Sequence, residues 1–150
     1  MTLARKFRAL LLAGGKSKHA LKKVTRQEYK ALMTLESLNN RPIIYHIAEV
    51  LKQANYVSKI YIAGPEEVHQ QINYQIDSLI PSGATLIDTL KLSIPKLKGE
   101  SYILVSTCDL PLVLSHHIDH FVEDCLSNPG FDVYYSIIEK EVYTQKFPSN

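Results

Sequence analysis

Tryptophan is absent from this 150-residue chain, glycine occurs only 6 times and cysteine only twice. Cys108 and Cys125 stand far apart with no CxxC spacing, which excludes a disulfide scaffold and a cysteine-rich zinc module and fits a reducing cytosol. No long apolar run occurs. The opening MTLARKFRALLLAGGK superficially looks like a signal peptide, but its apolar stretch runs only from Ala9 to Ala13 before Gly-Gly-Lys, too short for a leader core or a membrane span. A cytoplasmic location is therefore expected. Net charge is also scarce: +2 overall does not argue for nucleic acid. Repeats and low-complexity segments are lacking as well.

What is present is the balance of an ordinary globular domain, 45% hydrophobic and 21% charged. A chain of this length can bury roughly 70% of the surface it exposes when unfolded, so a real core needs no staples. The expectation is a single domain over residues 1–150. The charge is unevenly spread. Arg5, Lys6, Arg8, Lys16, Lys18, Lys22, Lys23, Arg26 and Lys30 crowd the start, where Glu28 is the lone acid. Such a field favours an anionic ligand, with a merely solvated basic N-terminus as the plainer alternative.

Apolar runs alternate with helical stripes. Phe7 to Leu12, stopped by Gly14 and Gly15, suits a buried strand, and residues 16 to 29 read as loop. Pro42 opens a helix carrying Ile43, Ile44, Ile47, Val50, Leu51 and Ala54 on one face. Val57 to Ala63 reads as a strand, Glu66 to Ile76 as a short helix, and Leu86 to Leu97 as a helix that Pro95 kinks or ends. Tyr102 to Ser106 is a buried strand. Ile118, Phe121, Val122, Cys125 and Leu126 mark a helix with Ser115 as candidate N-cap and Asn128-Pro129-Gly130 as its stop. Asp132 to Ile138 reads as a further strand. This alternation predicts an α/β fold, a three-layer α/β/α sandwich around a mostly parallel sheet. Such sheets bind ligands beyond the C-terminal ends of their strands.

Two loops occupy those ends. Leu12-Ala13-Gly14-Gly15-Lys16 offers glycines that permit positive φ and close backbone approach, followed by a mobile positive charge, which suits a polyphosphate; a ligand-free tight turn is the alternative. It is not a P-loop, because Leu10 stands where the first glycine belongs, and the dinucleotide fingerprint fails at positions 14 to 19. Thr107-Cys108-Asp109-Leu110-Pro111 places a carboxylate just past a strand, where it could bind Mg²⁺ or simply cap a turn. Cys108 has no readable His–acid partner and is expected to pack under the strand end rather than act as a nucleophile. His116 and His120, four apart on a helix beside His117, are expected to be exposed helix residues, a shared metal being the lesser option.

Taken in order, Leu-Ala-Gly-Gly after the first strand, Lys30-Ala31-Leu32, Arg41-Pro42-Ile43-Ile44 and Asp109-Leu110-Pro111 resemble the NTP-transferase family, in particular its molybdenum-cofactor guanylyltransferases. The resemblance implies the fold shared with nucleotide-diphospho-sugar transferases and a Mg²⁺-dependent nucleotidyltransferase. Such an enzyme passes an NMP group from an NTP, GTP or CTP being expected, to a small phosphate or hydroxyl acceptor and releases pyrophosphate. It implies nucleotide contacts at Leu12, Ala13, Gly14, Gly15, Lys16, Lys30, Gly83 and Asp109, with Lys30 and Asp109 catalytic and Asp109 on the metal. Gly83 to Thr89 falls where the family contacts base or ribose. Ser17 and His19 depart from the family's Gly-x-Arg, the stretch from Gly15 to Lys30 is longer than in the sugar-phosphate enzymes, and the family normally continues well beyond residue 150. The expectation is thus the N-terminal part of a longer enzyme, with no nucleic-acid or membrane partner and a homo-oligomer left open. The rival reading is a non-catalytic nucleotide-sensing domain on the same fold. An Asp-x-Asp glycosyltransferase is disfavoured by Asp-Leu-Pro at 109 to 111.

Overall fold

In the computed structural model, residues 6–72, 76–99, 102–137 and 139–146 are described. They fall into two compact units, residues 1–119 and 120–150.

The first unit is built on four parallel strands, β1 (Phe7–Leu12), β2 (Val57–Gly64), β3 (Ser78–Pro81) and β4 (Ile103–Thr107), in the order β3-β2-β1-β4. The most apolar strand, β1, is central because it must be covered on both faces. Its side chains alternate: Ala9 and Leu11 enter one buried cluster, Leu10 the other, with Leu12 packed against it. The first cluster takes the apolar face of α2 (Ile43–Gln53) together with Val68 of α3 (Glu66–Gln71). The second takes Leu97 and packs against Leu90 of α4 (Leu86–Ser93). Helices on both faces of a parallel sheet make this an α/β sandwich, as the alternation of apolar runs predicted.

Every α2 position in the predicted stripe is buried, Ile43 and Ile44 through Ala54. Pro42 takes the N-cap, with the chain extended before the helix. The helix over 86–97 changes to a 3₁₀ turn at Ile94–Leu97, where Pro95 cannot donate an α-helical bond.

Four features depart from the sequence reading. β3 went unread: it is short, ends in Pro81 and lies at the sheet edge, where a missing N–H is tolerated. A seven-residue helix α1 (His19–Thr25) lies inside the supposed loop 16–29; it buries no residue, so no apolar period announced it. The third helix ends at Gln71, and residues 73–75 of its predicted span lie outside the described residues. Finally, residues 132–137 form no strand. Val133, Tyr135 and Ile137 are exposed, and an alternating run becomes a strand only when an edge is there to pair with it. Residue 138 lies outside the described residues. α5 (Ser115–Ser127) is helical as its stripe predicted, and α6 (Lys140–Lys146) is exposed throughout. No described helix is long and apolar enough to cross a membrane.

Candidate functional site

Because all four strands run the same way, Leu12, Gly64, Pro81 and Thr107 end at one rim of the sheet. Register fixes this: Leu12 pairs with both Ala63 and Thr107, and Gly64 with Pro81. Backbone bonds carry the alignment past the strand ends, from Ala13 N–H to the Ala63 carbonyl (2.7 Å) and from Cys108 N–H to the Leu12 carbonyl (3.2 Å). The glycine turn and Asp109 therefore emerge side by side.

Between them opens a cleft of about 380 Å³. Leu12, Gly14, Gly15, Lys30, Gly83 and Asp109 line it, six of the positions the sequence pointed to. Two others do not. Ala13 is fully buried with its N–H spent on Ala63. Lys16 turns away: its ammonium lies 3.5 Å from Glu28 and 5.9 Å from the centre of the Tyr29 ring, with the side chain 69% exposed. Backbone bonds from Ser17 N–H to the Glu28 carbonyl (2.8 Å) and from Lys30 N–H to the Gly15 carbonyl (2.9 Å) close the segment between them into a loop. That closure brings Lys30 back beside Gly15 although fifteen positions separate them in sequence. Lys22 also pairs with Glu28, and the two lysines hold the Glu28 carboxyl below its ordinary pKa, Lys22 contributing most.

Lys30 and Asp109 meet across the cleft, Nζ donating to Oδ2 at 2.6 Å, with side chains 31% and 33% exposed. Partial burial opposes ionisation of Asp109. The hydrogen bonds from Lys30 and Thr107 and the Lys30 charge together outweigh it and leave the carboxyl below its usual range, so it is a carboxylate at neutral pH. The adjacent Cys108 goes the other way: burial, reinforced by the Asp109 charge, pushes its thiol up to about 12. A protonated, buried thiol is no nucleophile, and Cys108 packs in the core as expected.

Gly14 and Gly15 do not adopt positive φ, contrary to one reason for expecting glycine there. An added Cβ would meet only ordinary contacts, Ser82 Cβ at 3.6 Å from position 14 and Lys30 Cδ at 3.9 Å from position 15. The fold does not require glycine here; what glycine provides is an open cleft floor. Gly83 is different. A Cβ there would lie 2.5 Å from Asp88 Cβ. The Gly83 N–H donates to the Thr89 hydroxyl (2.9 Å), which itself donates to the Thr85 carbonyl (2.9 Å), and Thr85 and Asp88 form a capping box at the start of α4. The far wall is thus a locked polar turn. Ser82 and Thr107 also line the cleft and were not singled out from sequence. The unread strand β3 delivers Ser82, and Thr107 ends β4 one residue later than predicted.

Among the described residues, no group of three or more His, Cys, Asp or Glu side chains is placed to hold a metal. Asp109 is the one acid among the described residues that lines the cleft. A single ionised carboxylate fits Mg²⁺, which takes one or two carboxylates and otherwise relies on substrate phosphates and water. His117 uses Nδ1 to accept from the Leu114 N–H (3.1 Å), and its ring meets that of His116 edge-on, 4.1 Å between centres.

The fold is shared with known proteins. A hypothetical transferase from Thermus thermophilus superposes with a TM-score of 0.72 at 24% identity, over 97% of this chain and 56% of that one. A CMP:2-keto-3-deoxy-manno-octonic acid synthetase solved with CTP gives 0.65 at 17% identity, over 83% of this chain and 48% of that one. At these identities the likeness is one of fold, and the chain spans about half the length of either structure. No curated protein matches it. The family model of the MobA-like NTP transferase domain matches residues 9–143, which takes in both strand-end loops, Lys30 and Asp109. The chain belongs to the MobA-like NTP transferase domain family.

Proposed function

We propose that this chain is the nucleotide-binding part of a Mg²⁺-dependent nucleotidyltransferase acting in the cytoplasm. It would transfer NMP from an NTP, GTP or CTP, to a small phosphate or hydroxyl acceptor. The observation that carries the reading is the Lys30–Asp109 pair, 2.6 Å apart and bordering a cleft whose floor is Gly14-Gly15. An oppositely charged pair at an open, glycine-floored cleft is the arrangement that a polyphosphate with its counter-cation would exchange into: anion to Lys30, cation to Asp109.

The roles follow from position. The bare backbone at Gly14 and Gly15 lets phosphates lie against the strand end. Lys30 would neutralise their charge, and Asp109, already ionised, would hold Mg²⁺. The bound metal would supply charge neutralisation on the triphosphate. The locked turn at Ser82 to Thr89 faces the ribose and base, and Gly83 offers backbone rather than side chain there. An acceptor oxygen then forms a bond to the α-phosphorus while the bond from that phosphorus to the pyrophosphate oxygen breaks. Positioning and electrostatics, rather than covalent participation by the protein, supply the catalysis. Lys16 would contribute only by leaving Glu28.

Calorimetric titration with the four Mg·NTPs, paired with a pyrophosphate-release assay on the same protein, tests this. The proposal expects one NTP to bind at micromolar Kd and Lys30→Ala to weaken it at least about tenfold, near 1.4 kcal/mol. Binding of no NTP contradicts the site. Binding without pyrophosphate release in the presence of phosphorylated acceptors supports the nucleotide-sensing alternative.

A further inference from the structure

Lys30 and Asp109 lie 79 positions apart, yet the segments that follow each of them both touch helix α2. At its N-terminal end, the Ile43 N–H donates to the Met33 carbonyl (2.8 Å). Ala31 and Leu32, the two residues after Lys30, are buried, Leu32 in the same cluster as Ile44 and Ile47. One turn into the helix, His46 reaches the other partner: its Nε2 lies 3.1 Å from the Val113 carbonyl oxygen in a partly buried setting. Val113 closes the turn that begins at Leu110, the residue after Asp109. It packs against the same cluster, and its N–H donates to the Leu110 carbonyl (3.2 Å). At the far end of α2, the buried Asp119 carboxylate accepts from the Asn55 backbone and side-chain N–H groups, both at 2.8 Å, and from the Tyr56 N–H (3.4 Å). Asp119 sits ten residues beyond Asp109. Nearer to Asp109 is the contact of His46 with Val113.

We infer that His46 is a positioning residue for this site: carrying its proton on Nε2, it donates to the Val113 carbonyl and so sets the placement of Asp109 relative to Lys30. This rests on reading Asp109 as the carboxylate that holds Mg²⁺. The strand β4 delivers Asp109 only to the rim. The segment from Leu110 to Leu114 that follows exposes Leu110, Leu112 and Leu114, while Pro111 and Val113 are half-buried and Val113 packs against the cluster under α2. A hydrogen bond from a rigid helix to the end of that turn removes freedom that would otherwise blur the carboxylate's position; contacts made directly to a metal ligand tune affinity by roughly 10–100-fold, so this less direct one belongs at the low end, about tenfold.

The test compares wild type with His46→Ala, His46→Phe and His46→Gln by two readouts independent of turnover. One is Mn²⁺ affinity, measured by electron paramagnetic resonance with the tightest-binding NTP present. The other is amide hydrogen exchange over residues 110–114 in the protein alone. The Ala and Phe variants are expected to bind Mn²⁺ about tenfold more weakly and to exchange faster at Val113 and Leu114. NTP affinity without metal should change less than Mn²⁺ affinity. His46→Gln, whose amide can still donate, should recover most of both. His46→Phe fills the ring's space without a donor, so the comparison survives if the Ala variant does not fold. Unchanged Mn²⁺ affinity in a folded donor-less variant, or a Gln variant as impaired as Phe, overturns the inference. Asp109→Asn in the same titration separates the failures: if it too leaves Mn²⁺ affinity unchanged, the reading of Asp109 falls; if it abolishes binding while His46 variants do not, only the role of His46 falls.

Discussion

Replacing Asp109 with asparagine should move nucleotide affinity in opposite directions depending on whether metal is present. The Asp109 carboxylate sits 2.6 Å from the Lys30 ammonium, cancelling the charge a phosphate would seek and repelling the phosphate directly. Asparagine keeps the shape and removes one negative charge. Two unit charges about 4 Å apart interact by about 1 kcal/mol in bulk water and about 4 kcal/mol at an effective dielectric of 20. With side chains 31% and 33% exposed, this pair lies toward the watery limit, so about 1–2 kcal/mol is the reasonable gain. Metal-free NTP should therefore bind about 5- to 30-fold more tightly to Asp109→Asn than to wild type. Adding Mg²⁺ should strengthen wild-type binding and do little for the variant, because the carboxylate that would hold the cation is gone. Isothermal titration with and without EDTA measures both arms. The reasoning is refuted if metal-free affinity does not rise in the variant, or if Mg²⁺ strengthens binding equally in both proteins.

The two glycine types should separate cleanly. Gly83→Ala forces a Cβ to within 2.5 Å of Asp88 Cβ and should cost about 1–3 kcal/mol of stability in chemical denaturation. Gly15→Ala, with only an ordinary contact at 3.9 Å, should leave stability within about 0.5 kcal/mol yet weaken NTP binding by intruding on the cleft floor. Cys108, with its thiol pushed up to about 12, should resist iodoacetamide at pH 8 in the folded protein, and Cys108→Ala should retain activity. Burial holds the His69 imidazole below its ordinary pKa, outweighing the nearby Glu66 charge. A depressed histidine favours the folded state above the unfolded value, about 6.5, and that contribution is lost as pH falls through the lower folded value. Wild-type Tm should thus fall more steeply than that of His69→Gln from pH 7 to 5; parallel curves would contradict it.

How much was legible in the sequence depended on what kind of signal each part leaves. β1 and α2 leave strong ones, because their buried faces are long and apolar, and Asp109 was placed by a rule about strand ends that the parallel register obeys. The turn at 14–15 was read from its glycines just past a strand, and Lys30 from the family resemblance; the backbone bond from Lys30 to Gly15 that brings them together has no sequence signature at all. The position of Lys16 beside the glycines said nothing about Glu28, which pairs with it from across the loop. Helix α1 buries nothing and so left no period, whereas residues 132–137 show an alternation that joins no strand among the described residues. Periodicity records how a segment could be buried; pairing and packing decide whether it is.

Crystals of the protein grown with Mn²⁺ and a non-hydrolysable NTP analogue would test the central claim most directly. Anomalous scattering should place the metal beside the Asp109 carboxylate, with the phosphates along the Gly14-Gly15 backbone and Lys30 drawn off Asp109 toward them. A nucleotide seated instead in the separate cavity beside His69, or a metal remote from Asp109, would contradict it.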